Sequence, residues 1–296
     1  GSKLAKRLAK KNKILIFDIK KNKDFKNNKN IKTYLIDLSN KKKLMSIKIN
    51  NIDVLLHCAG QPSQAVSFKR TDLDYESNIV STYNLINWSK ENKVKKIIYA
   101  STFNVYKETI DKSGKLSEIS ECDPKSPYAL SKYTAEKYIQ ICCNIFNIKW
   151  NILRMFNVYG PGQNPKNPDL GMVSIFLNMA RNQDVVNIKG SLDRFRDLVY
   201  VEDVLDAWEM CAKDTKHFNQ IFNVGSGKAT TISNLLKVIS KVLNKKIVIN
   251  ELPGTPGDFK GSSANINKIK NKLKFKPSTK LVDGVTNFNN WLNTLD

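Results

Sequence analysis

At 296 residues the chain is long enough to bury a large core in one or two domains. Hydrophobic residues at 41% and charged residues at 26% exclude a disordered or fibrous chain, and no run of about 18 apolar residues offers a membrane span. The net charge of +22 raises nucleic acid or an anionic surface as a partner, but only six of the 49 basic residues are arginine, the side chain suited to bidentate phosphate and base contacts. The lysines are spread along the chain among many asparagines and isoleucines. That pattern reads as the residue usage of an AT-rich genome, so no nucleic-acid partner is expected. The basic N-terminus lacks the apolar segment of a signal peptide. Five scattered cysteines, odd in number and without metal-ligand spacing, read as reduced cytoplasmic thiols.

Taken in order, residues 1–11 read as a helix with Leu4, Ala5, Leu8 and Ala9 on its apolar stripe, and residues 13–18 as a buried strand. A dinucleotide-binding unit opens with an earlier strand and a glycine-rich turn, with such a helix as its crossover. Gly1 stands either as the last glycine of that turn or as a residue foreign to it, and the chain reads as a fragment lacking the first strand and most of the phosphate loop. The lysine- and asparagine-rich stretch from Lys20 to Lys32 reads as a solvated loop. Strands are expected at 33–38, 52–59, 94–101 and 149–155, with helices at about 73–92 and 128–146 between the last three. This alternation predicts an α/β fold, a doubly wound parallel sheet missing its first strand. Asp18 ends its strand where a carboxylate accepts from the adenosine ribose hydroxyls and repels a 2′-phosphate, which favours NAD. Lys20 and Lys21 weaken that preference, and a plain strand-end turn is the competing account of Asp18.

The strand at 94–101 is apolar until Ser101 and Thr102, and ligands of open α/β sheets bind outside the carboxyl ends of strands. Ser126 suits an N-cap and Pro127 the first helical position. Tyr128 then lies in the first turn and Lys132 one turn on, on the same face. A cation and a positive helix end both favour phenolate, which would make Tyr128 a base. Alone, a tyrosine and a lysine four apart are as well explained by packing and solvation. With Thr102 beside them they make a candidate site.

With these residues in this order, the chain resembles the extended short-chain dehydrogenase/reductase family, specifically its nucleotide-sugar epimerases and dehydratases. The resemblance runs from Gly1 to about Trp291. It rests on His57-Cys58-Ala59-Gly60, Asn78 with Thr82, the run Tyr99 to Tyr106, the run Arg154 to Gly162, Arg196 to Asp203, Asn223 to Gly227, and Pro256-Gly257-Asp258. It implies that Tyr128 is the acid/base, that Lys132 lowers its pKa and binds the nicotinamide ribose, and that Thr102 holds the reacting sugar hydroxyl. It implies an NAD site lined by Gly1, Asp18, Asp37, Leu38, Ala59, Gly60, Asn78 and Ser101. Asn157, Arg196 and Asp258 are implied as substrate contacts, with Arg196 as the diphosphate clamp. A homodimer through the helices at 73–92 and 128–146 is implied as well.

Two departures bear on the reaction. The family's dehydratases and decarboxylases carry a carboxylate just after the strand-end hydroxyl, where Phe103 and Asn104 stand, and neither can titrate. Thr255 replaces the arginine that many UDP-sugar 4-epimerases use as a second diphosphate ligand, leaving nucleotide and sugar open. Beyond Gly160 shorter mixed elements suggest a smaller substrate-binding α/β domain. The expected division is 1–159 with about 196–223 for NAD, and 160–195 with 224–296 for the nucleotide sugar. Gly225-Ser226-Gly227-Lys228 is not a P-loop, because Phe222 and Ala229 occupy its required glycine and hydroxyl positions. The two histidines are too far apart in sequence to suggest a zinc site or a serine triad. The expected activity is NAD-dependent epimerisation at carbon 4 of a nucleotide sugar. The rivals are a reductase or 2-epimerase of the same family, and a non-catalytic nucleotide- or RNA-binding relative.

Overall fold

A computed structural model describes residues 1–108, 115–164, 171–254 and 260–295. The chain divides into two units. The first comprises Gly1–Val105, Cys122–Arg154 and Ala207–Phe222, and the second Tyr106–Glu121, Met155–Asp206 and Asn223–Asp296.

In the first unit, strands of apolar and β-branched residues alternate with helices. Val54–His57 pairs in parallel with Lys96–Thr102, which is followed across the sheet by Lys149–Met155 and Gln220–Val224. Lys96–Thr102 is buried at every position, as a central strand covered on both faces should be. A separate parallel ladder joins Ile14–Asp18 to Ile31–Leu35. Among the described residues no backbone ladder links it to the four-stranded sheet. It is held by side chains instead: Phe17 meets Trp88 edge-on at 5.1 Å and Tyr34 at 5.4 Å. These join a core built on Ile86, Ile97, Tyr99, Ile139 and Ile152. At about 25 cal/mol per Å² of apolar surface, this burial is the main stabilising term for the unit.

The helix expected over 73–92 is divided. A short helix Thr71–Asp74 leads into one wide π-helical turn, Tyr75–Val80, before the regular helix Ser81–Glu91. Such turns add a residue and re-aim side chains, often at functional sites. The basic stretch from Lys20 to Lys32 is anchored by a short 3₁₀ turn, Lys23–Phe25, with Phe25 buried.

The second unit has its own core, with Leu177, Val186, Leu235, Ile239 and Phe288. Its main sheet runs Ala229–Thr231, Phe195–Tyr200, Gly261–Ala264 and Lys115–Leu116, with Asn157–Tyr159 also on Phe195–Tyr200. Phe195–Tyr200 is buried at every residue and pairs with three strands of this unit. Those ladders hold residues 195–200 here and the unit runs on to Asp206, whereas the sequence pattern put 196–206 with the cofactor half. Asp197 ties the sheet together, accepting from the backbone of Ser226, Gly227 and Ala264.

Candidate active site

The site of the first unit is built where Lys96–Thr102 ends and the helix Pro127–Ile145 begins. Ser126 caps that helix, its Oγ accepting from Ala129 N at 3.2 Å, and Pro127 opens it. The cap places Tyr128 in the first turn, where the Thr102 hydroxyl is near enough to favour the ionised phenol. Thr102 Oγ1 also accepts from Asn104 N at 3.2 Å, so its orientation is fixed from the loop side. Lys132 stands one turn along the same face, and all three side chains are buried. The structure therefore brings Tyr128, Lys132 and Thr102 together.

The electrostatics correct one expectation. Burial pushes the Tyr128 phenol up to about 12, with the Asp74 carboxylate pushing the same way and only the Thr102 hydroxyl opposing. Burial also pushes Lys132 down to about 8, against the attraction of Cys58, Glu136 and Asp74. In the protein alone Tyr128 is thus a neutral phenol at pH 7. Desolvation of a nearly fully buried group outweighs the helix end and the cation that the sequence pointed to.

Behind these groups lie residues that the motif did not assign. Glu136, one further turn along the helix, is fully buried, accepts from Ser101 Oγ, and takes two bonds from Arg154 at 3.0 and 2.6 Å. This ties three elements of the unit into one charge-balanced network, and Ser101 spends its hydroxyl there. The carboxylate's spacing, four residues after Lys132 on the same buried face, was the legible signal. Asp74, also buried, accepts from Asn78 Nδ2 at 3.2 Å and from Gln61 Nε2 at 3.3 Å. Nothing in the sequence distinguished it, because the π-helical turn that follows it was not foreseen.

The implied cofactor residues fall into two groups. Asp18 and Asp37 are exposed at strand ends, and each carboxylate turns back to accept a backbone N–H two residues on, from Lys20 and Ser39. Ala59 and Gly60 are exposed just beyond Val54–His57, and the Gly1 amino group is near enough to Cys58 to lower its thiol pKa, against a larger upward push from burial. Leu38 and Asn78 are buried: the Leu38 side chain belongs to the core. Asn78 holds the loop after the strand, accepting from Gln61 N at 3.0 Å and donating to Gln61 O and Ser131 Oγ. Gly60 has φ +142°, and a Cβ there would run into Asn78 Oδ1, so this close approach requires glycine.

In the second unit, Asn157 Nδ2 donates to Asp197 O at 3.2 Å. Arg196 is buried and donates to the neighbouring Phe195 carbonyl at 2.8 Å. Asp258 lies outside the described residues. Among the described residues, no group of three metal-ligating side chains exists and no helix is long and apolar enough to cross a membrane.

The fold and this site define a class. The model of the NAD dependent epimerase/dehydratase family matches residues 1–225, and the chain belongs to that family. A Methanocaldococcus jannaschii protein provisionally named UDP-glucose 4-epimerase is 32% identical over 90% of this chain and 86% of its own length. An Escherichia coli dTDP-4-dehydro-6-deoxyglucose reductase is 31% identical over 80% of this chain and 73% of its own. Among solved structures, the UDP-N-acetylglucosamine 4-epimerase of Methanobrevibacter ruminantium superposes with a TM-score of 0.91 at 28% identity. The match covers all of this chain and 95% of that one. The cofactor is accordingly NAD.

Proposed function

We propose that this chain is an NAD-dependent nucleotide-sugar epimerase acting at carbon 4, with Tyr128 as acid/base, Thr102 as the group aligning the sugar hydroxyl, and Lys132 as the charge that conditions Tyr128. The observation that carries it is the joint burial of Tyr128, Thr102 and Lys132 where the strand ends and the helix begins, with the Thr102 hydroxyl near enough to the Tyr128 phenol to lower its pKa. As phenolate, Tyr128 takes the proton of the sugar hydroxyl and later returns it, while Thr102 keeps that hydroxyl in line. Oxidised NAD, when bound, supplies the acceptor and later the donor for the hydrogen of carbon 4, together with a positively charged ring. Phe103 and Asn104 have no proton to exchange with carbons 5 and 6, so the reaction stops at epimerisation.

The donor set suits NAD: exposed carboxylates at Asp18 and Asp37 for ribose hydroxyls, the exposed backbone of Ala59 and Gly60 for phosphate, and a buried ammonium at Lys132. Gly1, Leu38 through its backbone, Asn78 and Ser101 complete that wall. The first unit is the NAD-binding half and the second the nucleotide-sugar half, with Asn157 and Arg196 as diphosphate contacts and Asp258 as a further substrate contact. All five cysteines are free, which suits the reducing cytoplasm.

A homodimer is part of this reading. Leu130, Tyr138, Ile141 and Ile145 leave one apolar stripe exposed on Pro127–Ile145, and Tyr83 of the neighbouring helix meets Tyr138 at 5.9 Å. A stripe of this kind, on two adjacent helices, suits a self-complementary two-fold contact.

The test is proton NMR of UDP-, dTDP-, CDP- and GDP-sugars incubated with the NAD-loaded protein. Interconversion at carbon 4 without net NADH consumption is expected. Stoichiometric NADH consumption would instead establish a reductase, the reading that similarity to the Escherichia coli enzyme favours. Tyr128→Phe should lower turnover by about 10²- to 10⁴-fold.

A further inference from the structure

Tyr99 lies in the middle of Lys96–Thr102 and is fully buried. The Lys132 ammonium stands over its ring, 4.6 Å from the centroid. That is within the range in which a cation is drawn to an aromatic face, and the attraction grows as water is excluded. The His57 ring is also close to Tyr99, at 5.2 Å and tilted by 41°. His57 does not compete as a second cation. Thr82 Oγ1 gives its single hydrogen to Asn78 O at 2.6 Å, so it can only accept from His57 Nε2 at 2.8 Å. That bond puts a proton on His57 Nε2, and burial with the nearby Lys132 pushes its pKa down to about 3, which leaves the ring neutral. Tyr99 thus has one cation on its ring, and that cation is Lys132.

We propose that Tyr99 is a positioning residue whose ring face seats the Lys132 ammonium, keeping it charged and fixing where that charge stands relative to the Tyr128 hydroxyl. The inference rests on the reading of Tyr128 and Lys132 as a working pair. A lysine stem has four rotatable carbons, and a buried ammonium needs a counter-surface to stay protonated. The carboxylates that attract Lys132 are committed elsewhere: Asp74 to Gln61, Asn78 and Ser131, and Glu136 to Ser101 and Arg154. The remaining titratable groups that bear on Lys132 are the Cys58 thiol and neutral His57. The aromatic face supplies attraction that needs no second buried charge.

The test compares the wild type with Tyr99→Phe and with pentafluorophenylalanine at position 99, which keeps the ring's shape while reversing the sign of its face. Two readouts are taken. One is the titration midpoint of the Lys132 ε-carbon NMR signal, assigned by its loss in Lys132→Met. The other is the pH profile of kcat in the NAD-loaded enzyme. The phenylalanine variant should titrate as the wild type does. The fluorinated variant should titrate about one pH unit lower, and its alkaline limb of kcat should move by the same amount, about tenfold in the charged fraction. Equal midpoints in the phenylalanine and fluorinated proteins would overturn the proposal. So would a midpoint that moves while the kcat profile of an enzyme dependent on Lys132 does not. Full turnover by Lys132→Met would instead refute the working pair itself, whatever the midpoints show.

Discussion

Tyr128 and Lys132 show how burial can oppose a motif. The spacing announced the pair, but the phenol is raised to about 12 and the amine lowered to about 8 by the same desolvation. A phenol at about 12 is of little use as a base near neutral pH, so the proposed role of Tyr128 requires positive charge to arrive at this point when the cofactor binds. The expected result is that adding NAD shifts the Tyr128 phenol well below 12, read by tyrosinate absorbance in a pH titration against Tyr128→Phe.

The same two residues bear on stability. Lys132 binds its proton less tightly folded (about 8) than unfolded (10.5), so the folded protein carries a penalty below pH 8. The penalty lifts as pH rises from 8 to 10.5, because there the unfolded chain binds more protons than the native one. Lys132→Met should therefore be more stable than wild type at pH 7, by on the order of 3 kcal/mol at about 1.4 kcal/mol per pKa unit. That advantage should shrink across the window in urea titrations; an advantage independent of pH would contradict this account.

At the level of elements, the helix Pro127–Ile145 depends on its ends and on its buried face. Ser126→Ala removes the cap and should cost about 1 kcal/mol. The buried Glu136–Arg154 pair should be more sensitive. Glu136→Gln leaves an arginine without its counter-charge and should cost about 3–5 kcal/mol, whereas replacing both partners by apolar residues of similar volume should recover much of the loss. A double-mutant cycle in denaturant separates these outcomes.

Elements with strong periodicity were legible in advance. Lys149–Met155 has the bounds that its sequence indicates, and the helix carrying Tyr128 starts at its Ser-Pro signal. Less legible was the interruption of the helix before Ser81. A π-helical turn there is stabilised by contacts of Asn78 with Gln61, Asp74 and Ser131, and such contacts leave no period in the sequence. For the same reason Asp74 and Tyr99 went unassigned, each mattering through what it touches in three dimensions, whereas Glu136 did carry a signal in its spacing from Lys132. Thr102, Tyr128 and Lys132 were legible because a strand end and a helix start are local events.

At the scale of the whole molecule, the apolar stripe exposed on Pro127–Ile145 is the surface with a defined chemistry for a partner. Ile141→Glu combined with Tyr138→Lys should convert a dimer to monomers in analytical ultracentrifugation while preserving the far-ultraviolet spectrum. A wild-type protein that sediments as a monomer at all concentrations would rule the dimer out.

The strand Lys96–Thr102 is buried at every residue, and Tyr99 and Thr102 both stand on it. In deuterated water its amides should be the last of the first unit to exchange, so the groups at its carboxyl end are mounted on the backbone that opens least often.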